Sequence, residues 1–153
     1  MKLEIKAPIM KTSLALILAS TALLIVGCGG IIKGKAASEA AVTRFHQLYD
    51  EGKFDSIWKE AHPKFRSSST KAKFNASMKE NLRKLGKVKS STTNGLQVKS
   101  VNFKTTVIMT RKTVFERGEG AETFTFEMDG GKAVLCGYKI QSTKFKETEL
   151  VET

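Results

Sequence analysis

Cysteine, proline, histidine and tryptophan are scarce: two, two, two and one among 153 residues. Two cysteines exclude a disulfide-dense scaffold and a four-thiolate zinc site. Neither His46 nor His62 has a second histidine or a cysteine three or four positions on, so the spacing of a metal site is missing. No His-Glu-x-x-His, Gly-x-Ser-x-Gly or glycine loop closed by Lys-Ser/Thr occurs, which removes the usual signatures of zinc peptidases, serine hydrolases and nucleotide-binding loops. Both histidines are expected to pack at or near the surface, with no metal and no cofactor. Acid is also scarce, at 15 Asp and Glu against 26 Lys and Arg, a formal charge of +11. Nine Phe and two Tyr are enough aromatics for one small core, and the balance of apolar and charged residues argues against wholesale disorder.

What is present begins at the N-terminus. Lys2, Lys6 and Lys11 precede an apolar run from Leu14 to Val26, which ends in Ile25-Val26-Gly27-Cys28. A short apolar run behind positive charge reads as an export signal. The tetrapeptide resembles the bacterial lipobox, in which small residues precede a cysteine that receives a diacylglyceryl group. That resemblance implies a signal peptide over 1–27 and lipidation of Cys28. It also implies a protein anchored in the bacterial cell envelope; in a two-membrane cell Gly29, where aspartate would signal retention, directs it to the periplasmic face of the outer membrane. Met10 is a second candidate start. An uncleaved membrane helix is the alternative, because no charge lies between Lys11 and Lys33 and about 20 apolar residues span a bilayer. Cleavage removes three lysines and one glutamate, leaving 23 basic and 14 acidic residues.

Residues 28–35 are expected to form the lipidated cysteine and a tether, 36–143 one domain, and 144–153 a charged tail. In the domain, Ala41, Val42, Phe45, Leu48 and Tyr49 recur at helical spacing, which predicts a helix over 36–51 with Ser38 as a cap and Gly52 as its stop. A short helix from Phe54 ends at Pro63, and a third, capped by Thr70, carries Phe74, Met78, Leu82 and Leu85 on one face. Beyond Gly86 the period becomes two. Leu96 to Phe103 predicts one strand with a bulge, and Val107–Phe115 a second. Gly118-Glu119-Gly120 reads as a turn into a third strand, and Asp129-Gly130-Gly131 as a hairpin turn into a fourth. In that last strand Val134, Cys136, Tyr138 and Ile140 share a face. Helices followed by a meander predict an α+β fold, with helices on one face of a curved antiparallel sheet.

The segment Leu48-Tyr49-Asp50-Glu51-Gly52-Lys53-Phe54 with Ile57-Trp58, the later Phe74…Leu82-Arg83-Lys84-Leu85-Gly86, and the closing Gly137-Tyr138 resemble small exported bacterial domains of unknown function. Those domains look like members of the cystatin-like, ketosteroid-isomerase-like cone fold. The resemblance implies a fold and carries no activity, since such folds host enzymes and binding modules alike.

Three groups of residues remain as site candidates. Cys136 reads as a buried small hydrophobe, with redox pairing as the alternative. An apolar cavity would be bordered by Tyr49, Trp58 and Tyr138. Glu122 and Glu127 are the carboxylates that could serve it; Glu122 shares strand parity with Phe124 and Phe126, although its place near the strand start suggests solvation. The third group is a basic belt: between Ala61 and Lys112 there are 13 Lys and Arg and one acid, Glu80. Lys64, Arg66, Lys71, Lys79, Arg83, Lys84 and Lys87 are its candidate anion contacts, and the one-signed field suits anionic lipid or an envelope polymer. A merely solvated face is the bland alternative. Phe65, Phe74 and Phe103 read as core, so the aromatics interleaved in nucleic-acid surfaces are missing and no nucleic acid is expected. Together these readings predict a membrane-anchored, non-catalytic binding module. The alternative is a small-molecule or catalytic cone.

Overall fold

The computed structural model describes residues 28–145. Chain contacts separate Met1–Gly30 from Ile31–Thr153; the packing below concerns the second unit. The proposed signal peptide and the end of the charged tail lie outside the described residues.

The elements run α1 (Cys28–Asp50), α2 (Phe54–Glu60), α3 (Pro63–Ser67), α4 (Lys71–Leu85), β1 (Val88–Val101), β2 (Lys104–Phe115), β3 (Gly118–Asp129) and β4 (Lys132–Gln141), then a 3₁₀ turn at Thr143–Phe145. The four strands form one antiparallel meander in the order β1-β2-β3-β4. The helices pack against this open sheet, so the fold is α+β as the change of period implies. Alternate residues of β2 (Val107, Met109, Thr113, Phe115) and β3 (Glu122, Phe124, Phe126) are buried beneath α1, which supplies Val42, Phe45, Leu48 and Tyr49. Phe45 meets Phe124 edge-to-face at 5.1 Å and Tyr138 at 4.6 Å, geometries that aromatic quadrupoles favour.

Several boundaries differ from expectation. The first helix starts at Cys28 rather than Ala36, so residues 28–35 are helical instead of a tether. The reason is a small-residue continuation of the apolar stripe: Gly34 and Ser38 are buried at the same four-residue step as Val42. A Cβ at Gly34 would already touch Val107 Cγ2 at 3.6 Å. Ser38 is therefore an interior residue rather than a cap. The helix ends as foreseen at Gly52 (φ 68°), where Lys53 N bonds Leu48 O at 2.8 Å and Gly52 N bonds Tyr49 O at 3.0 Å, the paired bonds of a Schellman stop.

Pro63 opens a helix as well as following one. It occupies the first position of α3, whose cap is the His62 ring: Nδ1 accepts from Lys64 N at 3.1 Å. Thr70 caps α4, accepting from Lys73 N at 3.3 Å.

The first strand starts at Val88, because the polar Lys89–Asn94 stretch is an edge strand whose Ser91 bonds to β2. It stops at Val101, and Asn102 (φ 49°) and Phe103 (φ 62°) form the turn. Phe103 is accordingly fully exposed and not core. A second correction concerns Gly118 and Gly120, which lie inside β3; the turn is Glu116-Arg117. Gly120 is closely packed, since a Cβ there would stand 3.2 Å from the side chains of both Phe115 and Ile140. The Gly130-Gly131 hairpin turn is as expected, both residues having positive φ. A bulge opposite Thr125/Phe126 shifts the parity of β4. Leu135 then faces Phe126 in the core, and Cys136 loses the shared buried face assigned to it, remaining half-buried. The tail begins with an ordered contact: Phe145 packs against the core beneath Lys84, whose Nζ lies 5.7 Å from the ring.

Candidate functional site

The most concentrated polar chemistry lies inside the protein, between α1 and the sheet. Strand parity turns Arg111 and Glu122 inward from adjacent strands, where they are directly opposed in register. They form no ion pair with each other. Glu122, only 1% exposed, receives three donors instead. His46 Nε2 lies 2.8 Å from Oε2, Tyr138 donates its hydroxyl to Oε1 at 2.8 Å, and Thr113 donates to Oε2. Burial by itself would raise the Glu122 pKa, but the His46 contact, with help from Thr113 and Tyr138, outweighs it and holds the carboxyl below its ordinary value. Burial beside that negative charge raises the Tyr138 phenol well above its own, so tyrosine stays the donor.

The network continues. Thr113 Oγ1 and Ser91 Oγ are 2.8 Å apart, and Arg111 donates Nε to Ser91 Oγ and Nη2 to Ser91 O, both at 2.8 Å. Its Nη1 reaches Thr93 Oγ1 at 2.9 Å and pairs with Glu39 of α1. Burial opposes charge on Glu39, yet the bonds from Thr93 and Arg111 lower its pKa overall. A continuous chain of hydrogen bonds thus runs Glu39–Arg111–Ser91–Thr113–Glu122 and divides to His46 and Tyr138. The ends at Glu39 and His46 return to α1 and the third, Tyr138, lies in β4, so the network clamps that helix to all four strands. Chemically it could hold a proton near Glu122, but every acceptor of that carboxylate is already engaged and His46 is 9% exposed.

The sequence places these residues unevenly. Glu122 is buried, contrary to the expectation of a solvated strand start. His46 is a buried partner of a carboxylate rather than a surface packing residue. Arg111 reads as part of the basic belt, yet its parity with Val107 and Met109 was a legible sign that it faces inward. Nothing local marks Thr113 or Ser91.

The three cavity candidates have different immediate neighbours. Tyr138 lines a cleft with Phe65, Phe74, Met78, Ser77 and Lys73. Trp58 packs on Phe65 and Phe74 at 5.9 and 5.6 Å. Tyr49, in the last turn of α1, packs beside Phe115 with its hydroxyl 3.4 Å from Gly86 O; burial raises its pKa. A second cleft, between α1, α2 and β4, is lined by Phe45, Leu48, Ile57, Ala61 and Leu135 with Arg44 and Glu60 at its edge. Cys136 Sγ contacts Val134 O at 3.6 Å, and burial raises its pKa, so it is a thiol and not a thiolate. Among the described residues no three of His, Cys, Asp and Glu gather as metal ligands.

The belt separates into used and free cations. Lys64 binds Glu127 at 2.8 Å and thereby lowers the pKa of that carboxyl. Lys71 pairs with Asp55 at 3.1 Å. Arg83 and Lys84 both pair with Glu80, at 2.6 and 3.5 Å; Glu80 is held at about 2, chiefly by the Arg83 hydrogen bond. Arg66 binds the carbonyls of Lys59 and Ala61 at 2.9 and 3.0 Å. Lys79 and Lys87, by contrast, are exposed without an acidic partner among the described residues, as are Lys73, Lys89 and Lys99. Cys28 lies in α1.

Among the described residues no helix is long and apolar enough to cross a membrane; the apolar run over 14–26 is not one of them. No curated protein matches the chain. Residues 41–138, well over half of it, match the model of a family described as a protein of unknown function, DUF4019, and the chain belongs to that family.

Proposed function

We propose that this DUF4019 protein is a lipid-anchored, non-catalytic binding module of the bacterial cell envelope, with Cys28 carrying the lipid and exposed lysines meeting an anionic partner. The observation that supports it is the set of five exposed lysines (Lys73, Lys79, Lys87, Lys89 and Lys99) that have no acidic partner among the described residues, in a segment with one acid. Such cations retain their charge for an external anion, and near an anionic membrane each is worth up to about 1 kcal/mol. The buried Glu122 network fits the same reading, because its donors and acceptors are spent on holding α1.

A small-molecule site in a cystatin-like cone is the second reading. One observation favours it: Tyr138 lines a cleft while its hydroxyl touches Glu122. Salt separates the two. Binding through surface lysines weakens steeply as ionic strength rises, whereas binding in an apolar cleft barely changes. The direct test is the intact mass of membrane-fraction protein, wild type beside Cys28→Ser. An acylated chain starting at Cys28, absent from the variant, supports the anchor; an unmodified chain refutes it. Cosedimentation with phosphatidylglycerol vesicles at low and high salt then tests the lysines.

A further inference from the structure

The tip of the β1–β2 hairpin presents apolar side chains to solvent. Val101 is 67% and Phe103 110% exposed, the only large hydrophobics so exposed among the residues whose side chains are described. Phe103 also sits at φ 62° and Asn102 at φ 49°. A two-residue turn of this kind favours Asn-Gly, so an aromatic occupies the position where glycine serves the backbone best.

Positive charge surrounds the tip. Lys99 has no acidic partner among the described residues, and Lys104 shares Glu127 with Lys64 and His62, at 3.8, 2.8 and 3.6 Å. A groove beside Val101 is lined by Lys64, Lys99 and Lys104. The fold also brings Gly34 of α1 to this end. Gly34 lies against Val107, His46 against Glu122 and Tyr49 against Phe115, so α1 runs along β2 away from the hairpin. Cys28 precedes Gly34 by six residues, at most about 20 Å of chain.

We propose that this tip is a membrane-contact element: Val101 and Phe103 enter the boundary between headgroups and acyl chains of an anionic bilayer, while Lys99 and Lys104 meet its phosphates. The inference rests on the lipid-anchored reading, which brings this end of the domain to a membrane. Apolar residues beside lysines suit that boundary. A stable protein interface, by contrast, buries about 800 Å² on each partner, more than two protruding side chains ringed by cations supply.

The test uses the full chain with Phe103→Trp, reconstituted in phosphatidylglycerol-containing vesicles whose acyl chains carry bromine. Wild type, whose one tryptophan is Trp58, is the control. The expected result is a blue-shifted emission in the variant, quenched by the brominated chains. The added quenching should be absent from wild type and lost near 1 M salt, where the screening length is about 3 Å. Intact mass of the same samples reports acylation of Cys28. Acylated protein without added quenching overturns the tip contact and leaves the anchored reading standing. Added quenching with an unmodified Cys28 overturns the anchor and leaves the tip contact. A blue shift that depends on protein concentration without vesicles identifies a second copy as the occupant and overturns the proposal.

Discussion

Replacing Glu122 by Gln keeps the side chain's size and removes its charge, which isolates what the buried carboxylate does. In the wild type two oxygens accept from His46 and Tyr138 at 2.8 Å and from Thr113. Hydrogen bonds to a charged group contribute about 1.5–3 kcal/mol each, against about 0.5–1.5 for neutral ones. Gln also offers one oxygen where there were two, and its amide must face a former donor. Some of the loss is recovered where that amide donates to His46 Nε2. The balance predicts a destabilisation of about 2 kcal/mol at pH 7, read as a fall of roughly 1–2 M in the urea midpoint for a domain of this size. The pH dependence is the sharper signature. Glu122 has a folded-state pKa below its ordinary 4.5, so the unfolded chain binds its proton first. Its contribution is full above the unfolded value and is lost as pH falls through the folded one. Glu122→Gln should therefore have a shallower stability slope than wild type below about pH 5. Urea denaturation followed by circular dichroism at pH 7, 5 and 4 measures both quantities. An unfolding free energy at pH 7 unchanged within about 0.5 kcal/mol, with the same acid slope, would refute the account of Glu122 as the centre of the clamp.

Arg111→Lys should cost about 2–4 kcal/mol in thermal or urea denaturation, because one ammonium cannot replace the guanidinium's simultaneous bonds to Glu39, Ser91 and Thr93. Leu85→Ala, at a fully buried position where α4 ends, should cost about 3 kcal/mol and leave β1 in register; amide exchange across Val88–Val101 checks the second part. Phe103→Gly should do the opposite of most substitutions and stabilise the fold by about 0.5–1 kcal/mol, since the positive φ strains phenylalanine more than glycine's added unfolded-state freedom costs. A differential scanning measurement that shows a lower melting temperature would contradict that reading of the turn.

Local chemistry accounts for much of what was legible. The apolar stripe of α1, the Thr70 cap, the stops at Gly52 and Gly86 and the Gly130-Gly131 turn each depend on residues within a few positions of one another, so sequence alone determined helices followed by a meander. The misplaced boundaries had less local causes. Gly34 extends α1 because Val107 lies opposite, and Gly120 belongs to a strand because Phe115 and Ile140 crowd it. The bulge that removes Cys136 from the buried face is a property of two paired strands, and neither shows it separately.

The belt of cations was countable from the sequence, but the division between Lys79, left to solvent, and Arg111, buried on Glu39, was made by the fold. Sequence also held Glu122 at the parity of Phe124 and Phe126. Only the tertiary structure decided that the carboxylate stays charged there, because the three donors that outweigh its desolvation come from α1, β2 and β4, and no stretch of chain carries them together. Local rules set conformation; charge inside a protein is settled by which distant groups arrive at hydrogen-bond distance.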